Sequence, residues 1–185
     1  AKTGLYVYEA DGELLVFRDR GTHYILNFFL QQGARPALPE LSKPVVTELA
    51  YRPKDADVMR TAAAYFRAIG FEEVLRRTRR TRAASPVPQD AVALAAREAR
   101  VDAVDAFLRG QFSRWTGCLP TADALRGALA AGQILCTEDE HGICGLLHFA
   151  PGRAASEIRH LAVREDCRRQ GVANRLFDAY MAATG

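Results

Sequence analysis

The hexapeptide Arg168-Arg169-Gln170-Gly171-Val172-Ala173 sets two guanidinium groups beside a glycine, a combination suited to capturing an anion. Just upstream, Glu157-Ile158-Arg159-His160-Leu161-Ala162-Val163 alternates like a strand whose two faces both meet packed surface. Just downstream, Val172, Leu176 and Tyr180 recur every four residues beside Ala173, Phe177 and Met181, a broad helical stripe. The stretch therefore reads strand, polar turn, helix, with its glycine at the turn into the helix. Such a junction leaves the N–H groups of the first helical turn without internal acceptors, and the helix dipole adds to their pull on negative charge. The pattern predicts a phosphate cradle. Taken alone, the hexapeptide also fits an ordinary turn with solvated arginines.

Other side chains able to do chemistry are scattered. His148 and His160 have the intrinsic basicity for proton transfer, although a lone histidine on a strand is more often structural. Cys144 and Cys167 lack a base at a meaningful spacing, which argues against a covalent nucleophile. Tyr65 and Tyr180 could each protonate a leaving group. The four cysteines form no C-x-x-C pair, so neither a disulfide nor a metal site is expected, and a reducing cytoplasm is the easier compartment.

Composition narrows the classes further. A hydrophobic share of 49% with 25% charged residues over 185 positions is that of a soluble globular chain able to bury a core. A net charge of +3 does not by itself point to nucleic acid. The arginines from Arg76 to Arg82 alternate with threonine and lack interleaved aromatics, so they read as a solvated strand edge rather than a stacking platform. No apolar run approaches the length of a membrane span, and no charged-then-apolar leader opens the chain. The expectation is a partner that is neither nucleic acid nor membrane.

The elements that must position these groups follow from periodicity and turn residues. Leu5–Ala10 and Glu13–Arg18 flank Asp11-Gly12 as a hairpin, and His23–Leu30 follows the Arg20-Gly21 turn as a buried strand. Proline-rich Gln31–Pro44 predicts a loop, and Val45–Tyr51 another strand. A helix capped by Asp55 or Asp57 presents Val58, Ala62, Tyr65, Phe66 and Ile69 and ends at Gly70; a strand from Phe71 then runs into the arginines. Ala83–Asp90, with two prolines, predicts a linker, so the chain divides into residues 1–84 and 91–185 around a linker at 85–90. In the second part Ala91–Ala95 is ambiguous between strand and helix. One helical face then runs from Val101 to Trp115, and Thr121 caps a helix closed by Gly132. Strands at Gln133–Thr137 and Ile143–Phe149 surround a turn at Glu140-His141-Gly142, ahead of the strand from Glu157.

The spacing Glu157 … Leu161-Ala162-Val163 … Arg168-x-x-Gly171-x-Ala173, followed by an amphipathic helix, resembles the acetyl-CoA-binding core of the GNAT superfamily of N-acetyltransferases. The element order from about Val92 and the Gly142–Gly145 step resemble the first two-thirds of that domain. Residues 45–82 are more faintly similar to its closing strand-helix-strand, with Phe66 where the family often has tyrosine. The resemblance implies an α/β (α+β) fold, a mixed sheet flanked by helices, with two GNAT-like halves, the first degenerate, as one way to build it. No closing strands follow the cofactor helix before Gly185, so either the native chain continues beyond Gly185 or residues 45–82, of this chain or of a partner, complete the sheet. An uncovered edge otherwise invites a homodimer.

The resemblance also implies a reaction: transfer of acetyl from acetyl-CoA, as cosubstrate, to a primary amine of a small molecule or peptide. Backbone N–H groups of Arg169, Gln170, Gly171, Val172, Ala173 and Asn174 would then hold the diphosphate beside Arg168. Val163 would pair with the pantetheine arm, Leu161 would offer its N–H to the thioester oxygen, and Ala162 would lie between them. An ammonium must lose a proton before it can attack, and Glu157 occupies the position of the strand glutamate that serves as base in some members. Strand alternation puts Glu157 on the face of Leu161 and Val163, but about 13 Å along the strand, so direct contact requires a bulge or a water relay. A non-catalytic acyl-CoA-binding or protein-interaction module of the same fold is the alternative.

Overall fold

Turn chemistry and alternation build the first sheet as expected. The computed structural model describes residues 4–10, 12–31, 38–78, 81 and 100–184, and the chain divides into two units, Ala1–Thr78 and Arg79–Gly185. In the first unit β1 (Leu5–Ala10), β2 (Glu13–Asp19) and β3 (Tyr24–Leu30) form an antiparallel meander, and β4 (Val45–Thr47) adds parallel to β3. Leu15, Phe17, Tyr24 and Leu26 point to one face, where α1 (Ala56–Ala68) covers them with Tyr65 and Phe66. The opposite face leaves Leu5, Val7 and Phe29 exposed.

Three expectations for this unit fail for local reasons. The strand begun at Val45 stops after Thr47. The run from Phe71 to Thr78 forms no strand: Phe71 packs on the core, but Val74 and Leu75 are exposed, and among the described residues no strand pairs with them. Neither aspartate caps α1 with its side chain; a 3-10 turn at Pro53–Asp55 leads into the helix instead, and Val58 stays exposed. The expected linker at 85–90 and the apolar run at 91–95 lie outside the described residues.

The second unit is a three-stranded antiparallel sheet, β5 (Ile134–Asp139), β6 (Gly142–Ala150) and β7 (Glu157–Val163), in that order. The helices α2 (Val101–Gln111) and α3 (Ala122–Ala130) cover one face, burying Val104, Leu108, Leu125 and Leu129 against Ile134, Ile143 and Leu146. Thr121 caps α3 as expected, accepting the Ala124 N–H at 3.3 Å. The helix α4 (Val172–Thr184) covers the other face, packing Val172, Leu176, Ala179 and Tyr180 on Leu135, Cys144, Leu147 and Phe149. The central strand β6 is accordingly buried from Ile143 to Phe149, which its near-continuous apolar sequence requires.

Two features bring α4 onto the sheet at the right place. A Cβ on Gly145 would stand 2.5 Å from Val172 Cγ1 and 3.0 Å from Leu176 Cδ1, so only glycine admits the start of the helix this close. Two bulges then re-aim the strands: the register of β5 on β6 shifts at Thr137/Glu138, and that of β6 on β7 shifts at His148/Phe149. The whole is α+β, with four α-helices among the described residues, none long and apolar enough to cross a membrane.

Candidate functional site

Among the described residues β7 is the last strand of its sheet, so one of its edges carries backbone groups with no described strand beyond them. Pairing identifies which residues own those groups. The Arg164 N–H donates to the Cys144 carbonyl at 2.7 Å, and Ala162 and His160 alternate with it toward β6. Leu161 and Val163 therefore turn their N–H and C=O outward. The Val163 carbonyl does accept from outside the sheet, taking the Nε hydrogen of Arg168 at 3.2 Å.

Beyond Val163 the chain makes a 3-10 turn, Glu165–Cys167, that is braced rather than loose. The Arg164 guanidinium joins Asp166 at 2.7 Å, Asp139 of β5 at 2.5 Å and the Ile143 carbonyl. Arg164 holds the Asp139 carboxyl well below the usual carboxylate range, with the Cys144 thiol adding to the effect. The Gln170 side-chain amide ties back to the Asp166 carbonyl at 2.8 Å, and Arg175 reaches the Gln170 carbonyl. Within this frame Arg169 sits at φ 62° and Gly171 at φ 76°. Left-handed backbone suits glycine but costs a residue such as arginine about 1–2 kcal/mol, a strain that collects at binding turns.

The first helical bond of α4 runs from the Arg175 N–H to the Gly171 carbonyl at 3.1 Å. Val172, Ala173 and Asn174 precede it, so their N–H groups have no acceptor within the helix. No acidic residue stands in that first turn, and Arg168, Arg169 and Arg175 surround it. Between this helix start and the free edge of β7 lies an open cleft of about 410 Å³. Leu161, Ala162 and Val163 form one side, Arg168 and Ala173 one end, and Gln111 with Phe112, from the end of α2, the opposite wall.

The structure thus brings Leu161, Ala162, Val163, Arg168 and Ala173 to one cleft, and continues the turn through Arg169, Gln170, Gly171, Val172 and Asn174. Glu157 is a correction. The bulge at Arg159 pairs Glu157 with Ala150, which puts it on the side of His148 and His160 and opposite to Leu161 and Val163. Its carboxylate lies 3.6 Å from the Arg159 guanidinium and does not line the cleft. Tyr180 is buried in the α4 core with its hydroxyl on Ser156, and Tyr65 belongs to the core of the first unit. Burial pushes the Cys144 thiol up to about 12, beside Cys167 and Asp139. A metal entering that trio would have to displace a guanidinium from Asp139 and a proton from a resistant thiol.

Two features escaped the residue patterns. Gln111 and Phe112 contribute the far wall: the helical face read from Val101 to Trp115 covers Phe112, but α2 ends at Gln111, and no pattern marked Gln111. His148 and His160, each unremarkable alone, are cross-strand neighbours: their rings stack at 5.3 Å between centroids, Nδ1 to Nδ1 at 3.1 Å, and His160 Nε2 reaches the Gly117 carbonyl at 2.7 Å. Burial, then His160 and Arg159, lower His148 to about 4. No family model, no curated protein and no solved structure matches this chain.

Proposed function

We propose that this protein is an N-acetyltransferase of the GNAT kind, moving acetyl from acetyl-CoA directly to a primary amine of a small molecule or peptide. The observation that carries the reading is the outward-facing backbone of Leu161 and Val163, which shares one cleft with the acid-free start of α4. The N–H groups from Arg169 to Asn174 hold the diphosphate, and Arg168 and Arg169 add compensating charge. Val163 pairs with the amide-bearing arm as one more strand would. The Leu161 N–H donates to the thioester oxygen, whose charge grows as the amine attacks. The thioester is already an activated acyl donor, so the remaining work of the chain is orientation and proton removal.

Glu157, the one carboxylate on β7, takes that proton through water, since it faces away from Leu161. Glu157→Gln is expected to lower turnover about tenfold, less than for a base in direct contact, and to leave acetyl-CoA affinity unchanged. An unaltered pH–rate profile in that variant would remove Glu157 from the mechanism. Calorimetry with acetyl-CoA, followed by thiol release over an amine panel, tests the whole reading. Binding with release is the expected result. Binding without turnover on any amine points to an acyl-CoA-binding module, and absence of binding overturns both.

A further inference from the structure

We propose that His160, held in a single tautomer by His148, is a positioning residue that fixes the Phe112–Gly117 segment on β7 and so sets the far wall of the cleft. The proposal deepens the acetyl-CoA reading and depends on it only for the identity of the ligand.

The hydrogen pattern follows from chemistry. A carbonyl oxygen can only accept, so the 2.7 Å contact with Gly117 places a hydrogen on His160 Nε2. An uncharged His160 then has a bare Nδ1. The Nδ1 of His148, 3.1 Å away, must supply the hydrogen between the rings, which leaves His148 Nε2 bare. Any other arrangement of an uncharged pair sets two lone pairs or two N–H groups against each other. The surroundings favour that uncharged pair: His148 and His160 are only 8% and 4% exposed, and the Phe112 ring meets His160 edge-on at 5.1 Å.

The same contacts hold the wall. Gly117 donates its own N–H to the Ser113 carbonyl at 2.7 Å, closing a turn directly after α2. The free carbonyl of that turn is the one His160 grips, and the ring packed on His160 is Phe112, which lines the cleft. One imidazole therefore anchors both ends of the segment to the strand that also carries Leu161. With Nε2 on Gly117 and Nδ1 on His148, His160 keeps no lone pair for a substrate proton, so it positions and does not act as the base.

Long-range proton–nitrogen spectra of the full chain at about pH 7 are expected to show two uncharged rings of opposite tautomer, His160 protonated on Nε2 and His148 on Nδ1. The same tautomer in both rings, or a charged ring, overturns the proposal. His160→Phe is expected to speed amide exchange of the Phe112–Gly117 segment about tenfold and to weaken acetyl-CoA binding by a similar factor. His160→Gln, which keeps an N–H for Gly117, is expected to restore both to within about threefold. Equal changes in the two variants, or no change in exchange, overturn the positioning role. If exchange responds as expected while the wild-type chain binds no acetyl-CoA, the positioning stands and only the ligand assignment fails.

Discussion

Among the described residues, two junctions take a strand into a helix, β4 to α1 and β7 to α4, and they handle the helix start in opposite ways. Between β4 and α1 the chain passes through Pro53, and Asp55 and Asp57 stand at the first turn, so the positive end of that dipole is met by the chain's own carboxylates. Between β7 and α4 no acid stands in the first turn, three arginines surround it, and two left-handed residues shape the approach. One helix start is met by the chain's own acids and the other is not, which is the difference the proposed anion site rests on. A helix N-terminus alone says little; what distinguishes the second is the missing acid, together with an open strand edge in the same cleft.

The harshest way to break that contrast is Gly171→Glu. It introduces a carboxylate where a phosphate is expected and a side chain at φ 76°, so acetyl-CoA affinity is expected to fall by a factor of about 1,000 in calorimetry. Gly171→Ala shares the backbone strain without the charge and is expected to lose far less. Equal losses in the two variants would mean that the turn's shape, and not its charge, sets affinity.

Next in size is Gly145→Val. The Cβ it adds falls inside contact distance of Val172 and Leu176, so α4 must lift from the sheet or the core must strain. Denaturant unfolding is expected to show a loss of about 2–3 kcal/mol, with acetyl-CoA binding weakened in parallel as the helix start moves away from Leu161. Full stability with lost binding would place the glycine's importance in the cleft and not in the packing.

Much of this was written in local pattern. Hairpins at Gly12 and Gly142, the Thr121 cap and the strand ending at Val163 need only neighbours in sequence, and they stand where alternation and turn residues put them. What failed depended on distant partners. Val74 and Leu75 have strand character but no strand to join among the described residues, and Val46 belongs to a three-residue strand paired with Tyr24–Leu26. The site shows the same division. Arg168, Gly171 and Ala173 were legible from spacing, whereas the side of Glu157 turned on one extra residue at Arg159, which alternation cannot foresee. The His148–His160 pair needed the register of β6 on β7, and the Gln111–Phe112 wall needed the end of a helix.

The acid response offers a milder test of the second unit. His148 titrates at about 4 when folded against 6.5 in an open chain, so the unfolded state binds more protons between these values. Its contribution to stability is complete above 6.5 and is lost as the pH falls toward 4, a decline of about 3 kcal/mol. Asp19, Asp139 and Asp166, held low by Lys43 and Arg164, keep their contributions down to their ordinary value of 3.8 and lose them only below it. The two windows are therefore separate. His148→Asn, which retains a donor for His160, is expected to flatten the upper one in denaturant titrations; an unchanged slope there would assign it to another group.

The smallest effect addresses the comparison most directly. Asn174→Asp gives α4 the acid in its first turn that α1 has in Asp57, without altering size. A charge there is worth about 0.3–1 kcal/mol to the helix dipole, so α4 should gain stability while an anionic ligand meets competition for the same N–H groups. Acetyl-CoA affinity is expected to drop about two- to fivefold, with the loss shrinking as salt is raised. Asp57→Asn, the reverse change at the other junction, should cost α1 a similar increment and leave acetyl-CoA affinity untouched. Tighter binding in Asn174→Asp would mean that helix stability outweighs charge at this junction, and the opposition between the two helix starts would no longer explain where the ligand goes.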